Sequence, residues 1–148
     1  MKIDIPGLRA YYLENIFIDY NGTIAKDGLI LEGIVERLEQ LSDSFKIYII
    51  TGDTFGDVKK QLENSDLEII HAYTAKEKQE KIYTNSIAIG NGSIDHLMFK
   101  EAELSFCIIG DEGASFKAIK EADIIVHNIF DALDMINKPK KIIATLKE

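Results

Sequence analysis

One cysteine and two prolines are all that the 148 residues contain of either type. With Cys107 alone no intrachain disulfide can form, which fits a reducing compartment. Pro6 and Pro139 stand near the two ends, so no proline-rich linker divides the chain. Long apolar runs are missing too, and none approaches the roughly 20 residues that a membrane-spanning helix needs. The opening residues 1–7 lack an apolar stretch of signal-peptide length. A soluble, cytoplasmic protein with no membrane partner is therefore expected. Positive charge is also scarce: 17 Lys and Arg face 25 Asp and Glu, for a net charge of −8. A surface of that sign repels phosphate backbones, so no nucleic-acid partner is expected.

What is present reads as an ordinary globular composition, 46% hydrophobic and 28% charged. The length suits one domain, residues 1–148. Residues 2–5 and 10–13, joined through Pro6-Gly7, predict a β-hairpin within residues 1–14. Further strands are predicted over 16–18, 47–50, 67–72, 87–89, 105–109 and 124–126. Helices are predicted over 31–41, 54–62, 75–83, 94–101 and 114–122, and over most of the remainder. The first of these has Leu31, Ile34, Val35, Leu38 and Leu41 at helical spacing. This alternation predicts an α/β fold, a mostly parallel sheet with helices on both faces. In such sheets ligands sit at the carboxyl ends of the strands, near a topological switch point. Four loops are singled out, 19–23, 51–54, 90–95 and 110–113, all polar and rich in Gly or Asp.

Each loop supports a chemical reading and a plainer one. Asp19 ends a strand and precedes Tyr20-Asn21-Gly22-Thr23. A carboxylate there can attack a phosphoryl group or bind Mg2+, while the turn aims N–H groups at an anion. The same residues also suit a turn built for backbone geometry alone. Thr51 offers a hydroxyl to a phosphoryl oxygen, or an N-cap to the next helix. Asp95 can share a metal with Asp19, or favour a helix N-terminus. Lys76, Lys78 and Lys81 offer charge to a phosphate, or form a solvated face. His71, His96 and His127 have no paired metal spacing. Cys107 lies in an apolar run, as an inert buried thiol would.

In chain order these features read strand-Asp, strand-Thr, helix-Lys, strand-Gly-Asn-Gly-x-x-Asp. In that order the chain resembles the HAD (haloacid dehalogenase) superfamily, and within it the soluble relatives of the P-type ATPase phosphorylation domain. Asp19-Tyr20-Asn21-Gly22-Thr23 is similar to the nucleophile motif, which reads Asp-Lys-Thr-Gly-Thr in the P-type branch. Thr51-Gly52-Asp53 matches the Thr-Gly-Asp motif of that branch. Gly90-Asn91-Gly92-Ser93-Ile94-Asp95 resembles its Gly-Asp-Gly-x-Asn-Asp metal motif. The likeness runs from about Phe17 to Val126.

The resemblance implies a three-layer, Rossmann-like HAD-type fold without a cap domain. It also implies a Mg2+-dependent phosphatase or phosphotransferase working through an aspartyl-phosphate on Asp19. Asp19, Asp95 and the backbone carbonyl of Asn21 would hold Mg2+, with Asn91 also at a metal-motif position. Thr51, together with Gly22, Thr23 and Gly52, would bind the phosphoryl group. Lys78 would neutralise charge; it lies one turn before the apolar Ile82 and so can face inward, and Lys76 is the alternative. Asp111, in Gly110-Asp111-Glu112-Gly113, is a rival to Asp95 as metal ligand.

Three departures from the family pattern bear on activity. Phosphatases of this superfamily carry an acid where Asn21 stands, and an amide has no proton to give. Asn91 replaces an Asp of the metal motif, and Ile94 replaces an Asn. A slow enzyme restricted to good leaving groups is expected, and a catalytically impaired module binding Mg2+, phosphate or a protein partner is the alternative. Only about 27 residues separate Thr23 from Thr51, too few for a nucleotide-binding or cap insertion. Such an open site suits a macromolecular substrate or closure by a neighbouring subunit; the expected partners are a phosphorylated small molecule or a phosphoprotein, and a second copy in a homo-oligomer.

Overall fold

Strand residues point alternately to opposite sides of a sheet, and here the chain supplies apolar side chains for both. The computed structural model describes residues 1–53 and 56–148. The chain opens on an antiparallel pair, β1 (Lys2–Asp4) and β2 (Ala10–Tyr12), and continues into β3 (Asn15–Asp19). A small antiparallel pair follows, β4 (Ala25–Lys26) and β5 (Leu29–Ile30). Then come α1 (Ile34–Leu41), β6 (Lys46–Thr51), α2 (Asp57–Gln61), β7 (Glu68–His71) and α3 (Ala75–Lys81). Next are β8 (Ser86–Gly90), α4 (His96–Glu101), β9 (Leu104–Ile108) and α5 (Phe116–Glu121). The chain closes with β10 (Ile124–Val126), α6 (Ile129–Asn137) and α7 (Lys140–Leu146).

Six strands form one parallel sheet in the order β10-β9-β8-β3-β6-β7. On one face Ile16, Ile18, Ile47 and Ile49 pack with Ile34 and Leu38 of α1 and with Ile129 and Leu133 of α6. On the other, Phe17, Tyr48 and Ile50 pack with Ala72, Met98, Phe99 and Ala118, under α3, α4 and α5. The result is a three-layer, Rossmann-like α/β fold with the first strand of the sheet at its centre. From β3 the chain builds outward through β6 and β7, then crosses back to build the other half from β8. That reversal puts the switch point at the carboxyl ends of β3 and β8. Asp19 pairs in register with Ile50, and Ile18 with Ile89, so Asp19, Thr51 and Gly90 end at one level.

Between β3 and β6 the structure departs from what the sequence pattern predicts. The expected helix over 31–41 begins only at Ile34, because Gly33 takes a left-handed conformation at φ +77°. Residues 25–30 form the β4–β5 hairpin, which the apolar pattern does not anticipate. Its turn is Asp27-Gly28, with φ +51° and +77°, and positive φ at both central residues defines a tight hairpin turn. Part of the helix expected over 54–62 lies outside the described residues. Residues 20–45 and 72–85 hold only this hairpin, α1 and α3, which leaves no cap layer among the described residues.

Candidate active site

Three charged side chains meet at the switch point. Lys78 reaches up from α3 and is fully buried. Its Nζ donates to Asp19 Oδ1 and to Asp95 Oδ1, both at 2.5 Å. Residues far apart in sequence thus share one ammonium. The helix that delivers Lys78 is well started: Thr74 Oγ1 accepts from the Glu77 N–H at 3.1 Å, and Glu77 accepts from the Tyr73 N–H at 2.6 Å. Lys76, the alternative, is exposed and stands 4.0 Å from Glu80. Spacing from Ile82 therefore points to the lysine that faces inward.

Asp95 is fully buried, and both of its oxygens are engaged. While Oδ1 accepts from Lys78, Oδ2 accepts from the N–H groups of Asn91 at 3.0 Å and Gly92 at 2.8 Å. In this arrangement Asp95 fixes both Lys78 and the loop. Gly90 is what lets the carboxylate lie there, since a Cβ at that position would stand 2.5 Å from Oδ2.

Asp19 opens to the cleft, with 13% of its side chain exposed. Burial pushes its pKa up to about 7, aided by the neighbouring Asp95 and opposed by Lys78. Burial works against the charge on Lys78, but the two carboxylates override it and hold its pKa above the ordinary value.

Around Asp19 lies a cleft of about 500 Å3, lined by Asn21, Thr51, Gly52, Asp53, Asn91, Gly92, Ile94 and Asp95. Thr51 is buried, and its hydroxyl accepts from the Asp53 N–H at 3.2 Å. Asp53 in turn accepts from the Val58 N–H at 2.9 Å, tying the loop to α2. Sequence reasoning gives Asp53 no role, although it is the last residue of Thr-Gly-Asp. Asn21 is exposed at the rim.

Gly22 and Thr23, the other expected phosphate-binding residues, have partners within the turn and the neighbouring loop. The N–H groups of Gly22 and Thr23 donate to the carbonyls of Ala25 at 3.0 Å and Tyr20 at 3.2 Å. The turn thus uses both amides internally. The Thr23 hydroxyl donates to Asn91 Oδ1 at 3.4 Å. Gly22, at φ +75°, has no room for a side chain, since a Cβ would meet the Asn91 amide at 2.3 Å.

Asn91 bridges loops, with Nδ2 donating to the Gly113 carbonyl at 3.0 Å. Asp111 is exposed and pairs with Lys26 at 2.7 Å, so it does not join the site. Its neighbour Glu112 accepts from the Asp27 N–H at 3.2 Å, and Gln61 binds both Gly28 and Ile30 of the same hairpin at 2.7 Å. The hairpin is thus braced from both sides. Cys107 is buried, with its thiol pushed up to about 11, chiefly by burial.

Among the described residues no group of three His, Cys, Asp or Glu comes together as a metal cage. The donors lining the cleft at Asp19 are the carboxylates of Asp19, Asp53 and Asp95 with the amide and hydroxyl oxygens of Asn21, Asn91 and Thr51. All are hard oxygen donors, which suit Mg2+ better than a soft metal.

No family model matches the chain. Two uncharacterized proteins of Methanocaldococcus jannaschii are similar to it. One is 45% identical over 71 residues, covering 48% of this chain and 76% of that protein. The other is 54% identical over 39 residues, covering 26% and 89%. A soluble P-type ATPase-like phosphatase of the same organism is 27% identical over 126 residues, covering 78% of this chain. The match takes in 46% of that phosphatase, so the chain spans about half its length. Among solved structures, the deoxy-D-mannose-octulosonate 8-phosphate phosphatase of Haemophilus influenzae superposes with a TM-score of 0.72 at 12% identity, covering 88% of this chain and 90% of that one. A putative enzyme of the same description from Vibrio cholerae gives 0.71 at 15%, covering 95% and 96%. A phosphoserine phosphatase gives 0.67 at 14%, covering 84% and 98%. No helix among the described residues is long and apolar enough to cross a membrane. The chain belongs with the two uncharacterized M. jannaschii proteins, carries the HAD-superfamily fold, and is a relative of the soluble P-type ATPase-like phosphatase.

Proposed function

We propose that the chain is a HAD-type phosphatase or phosphotransferase that works through an aspartyl-phosphate on Asp19, slowly and with good leaving groups. The observation that carries this reading is the shared lysine. Lys78 holds Asp19 at the switch point, where its carboxylate opens to the cleft. Phosphoryl transfer asks the protein mainly for positioning and charge neutralisation. In the first step an Asp19 oxygen bonds to phosphorus, the bond to the leaving oxygen breaks, and that oxygen departs with the electron pair. Water then attacks the phosphorus, releases inorganic phosphate and regenerates the carboxylate. Mg2+, when bound beside Asp19 and the Asn21 carbonyl, would offset the charge on the phosphoryl oxygens. Lys78 would do the same from below, and Thr51, which lines the cleft beside Asp19, would hold a phosphoryl oxygen.

Asn21 sets the limit on rate. A general acid contributes typically about 10²–10⁴-fold, and an amide contributes none of it. Aryl phosphates, acyl phosphates and pyrophosphates leave without that proton. The structural neighbours named for sugar-phosphate and phosphoserine phosphatases favour a phosphorylated small molecule, and the open cleft also suits a phosphoprotein. A second reading, a module that binds phosphate or a protein partner without turnover, is favoured by the Asn91 amide, which is neutral and tied to Gly113.

Incubation with Mg2+ and acetyl phosphate, followed by intact mass at low pH, tests the reading. A phosphoryl adduct is expected in the wild type and absent from Asp19→Asn. No adduct and no phosphate release would leave the binding module standing.

A further inference from the structure

A leaving group attached to a phosphoryl group at Asp19 has to lie along the walls of the cleft, and those walls are uneven in character. The strand order β8-β3-β6-β7 sets Asp19 between two loops. On the β8 side Ile94 lines the cleft and is 40% exposed. On the other side Gly52 follows β6, and the ring of Tyr73, shortly after β7, lies against it: a Cβ on Gly52 would stand 3.6 Å from that ring. Tyr73 is 52% exposed. Both side chains leave apolar surface in water beside the reacting carboxylate, and covering such surface is favourable.

Single exposed apolar residues are common on any surface. What sets this pair apart is the charge around it. Asp19, Asp53 and Asp95 all line the cleft, and among its described lining residues none is Lys or Arg. The Lys78 ammonium is already shared between Asp19 and Asp95. A leaving group that carried a carboxylate or a second phosphate would meet acid at this rim and find no cation to receive it.

We infer that the leaving group this cleft selects is uncharged and apolar, an aryl ring in particular, seated on Ile94 and Tyr73, and that a second anionic group is turned away. An aromatic ring brings a large apolar face to both side chains, and a phenolic oxygen leaves without the proton that Asn21 cannot give. This rests on reading the Asp19 cleft as a phosphoryl-transfer site. Of the leaving groups that such chemistry allows, it keeps neutral aryl groups and removes pyrophosphates. Ile94 and Tyr73 become specificity-determining residues, and neither takes part in the bond changes.

Two substrates separate recognition from leaving ability: para-ethylphenyl phosphate and para-carboxymethylphenyl phosphate, whose phenols are of nearly equal acidity. Initial rates are measured on the whole chain with Mg2+, and the acetyl phosphate adduct at Asp19 is followed by intact mass in the same preparation. The ethyl compound should be preferred in kcat/KM by roughly 10-fold or more, mostly through KM. Ile94→Asn and Tyr73→Ala should each raise KM for the ethyl compound by about 3- to 10-fold. Ile94→Lys supplies the missing cation and should shift the preference toward the carboxylate. Equal kcat/KM for the two compounds, or a preference for the carboxylate in the wild type, would overturn the inference. So would Ile94→Asn and Tyr73→Ala proteins, folded by circular dichroism, that both kept the wild-type KM. No turnover of either compound alongside an Asp19 adduct would overturn it while the functional reading survives. No turnover and no adduct would remove both. If the variants do not fold, the two compounds on the wild type decide alone.

Discussion

Two loops at the carboxyl edge of the sheet have similar ingredients and opposite fates. Residues 90–95 and 110–113 both combine glycines with acids. In the first, Asp95 is wholly buried and pairs with a wholly buried lysine. In the second, Asp111 keeps 73% of its side chain exposed and pairs with Lys26 in solvent. Coulomb attraction between exposed charges is screened by water, whereas a buried charge must be paired or it is lost. Burial, more than composition, separates the loop built around a charge cluster from the loop that props a hairpin.

The most severe break in that contrast is Lys78→Met. It strands two buried carboxylates and should cost about 3–5 kcal/mol of stability, read from urea unfolding. A cost below about 1 kcal/mol, the level of an exposed pair, would mean that the three charges are not coupled as described. Next is Asp19→Asn. The pKa of Asp19 is raised from 3.8 to about 7, so the folded state holds more protons than the unfolded state between those values. Metal-free wild type should therefore lose stability as pH rises through that window, at up to about 1.4 kcal/mol per pH unit. Asp19→Asn should flatten the slope and be the more stable protein above that window. An unchanged slope would assign the effect to another group. Gly90→Ala comes third. The added methyl collides with the Asp95 carboxylate and should cost about 1–3 kcal/mol in the same unfolding assay. At the small end, Asp111→Ala should leave the melting temperature where it is, because its ion pair lies in solvent. A clear drop would show that the exposed loop carries more of the fold than its exposure suggests.

Much of this architecture is legible in the amino-acid sequence. The strands announce themselves as short Ile-rich runs, and the polar loops at their carboxyl ends point to the site, while the strand order that fixes the switch point comes from the fold. Lys78 stands out from Lys76 because it lies four residues before Ile82. The β4–β5 hairpin escapes notice although Asp27-Gly28 is a strong turn signal, because its strands are two residues each and carry little periodicity. Sequence pattern places Asp95 at the site but does not give it its partners. Spacing brings a carboxylate to a loop without telling whether lysine, amide or cation meets it. The partner of Thr23 is hidden for a related reason, since its hydroxyl donates to Asn91, far along the chain.

The position of β3 has a further consequence. It carries Asp19 with parallel neighbours on both sides and fully buried residues on both faces. Such a strand opens only when the whole fold opens, so its backbone belongs to the most slowly fluctuating part of the molecule. Whatever adjustment admits and releases a ligand must come from the rim, and the carboxylate at the end of β3 serves as the fixed point against which that rim moves.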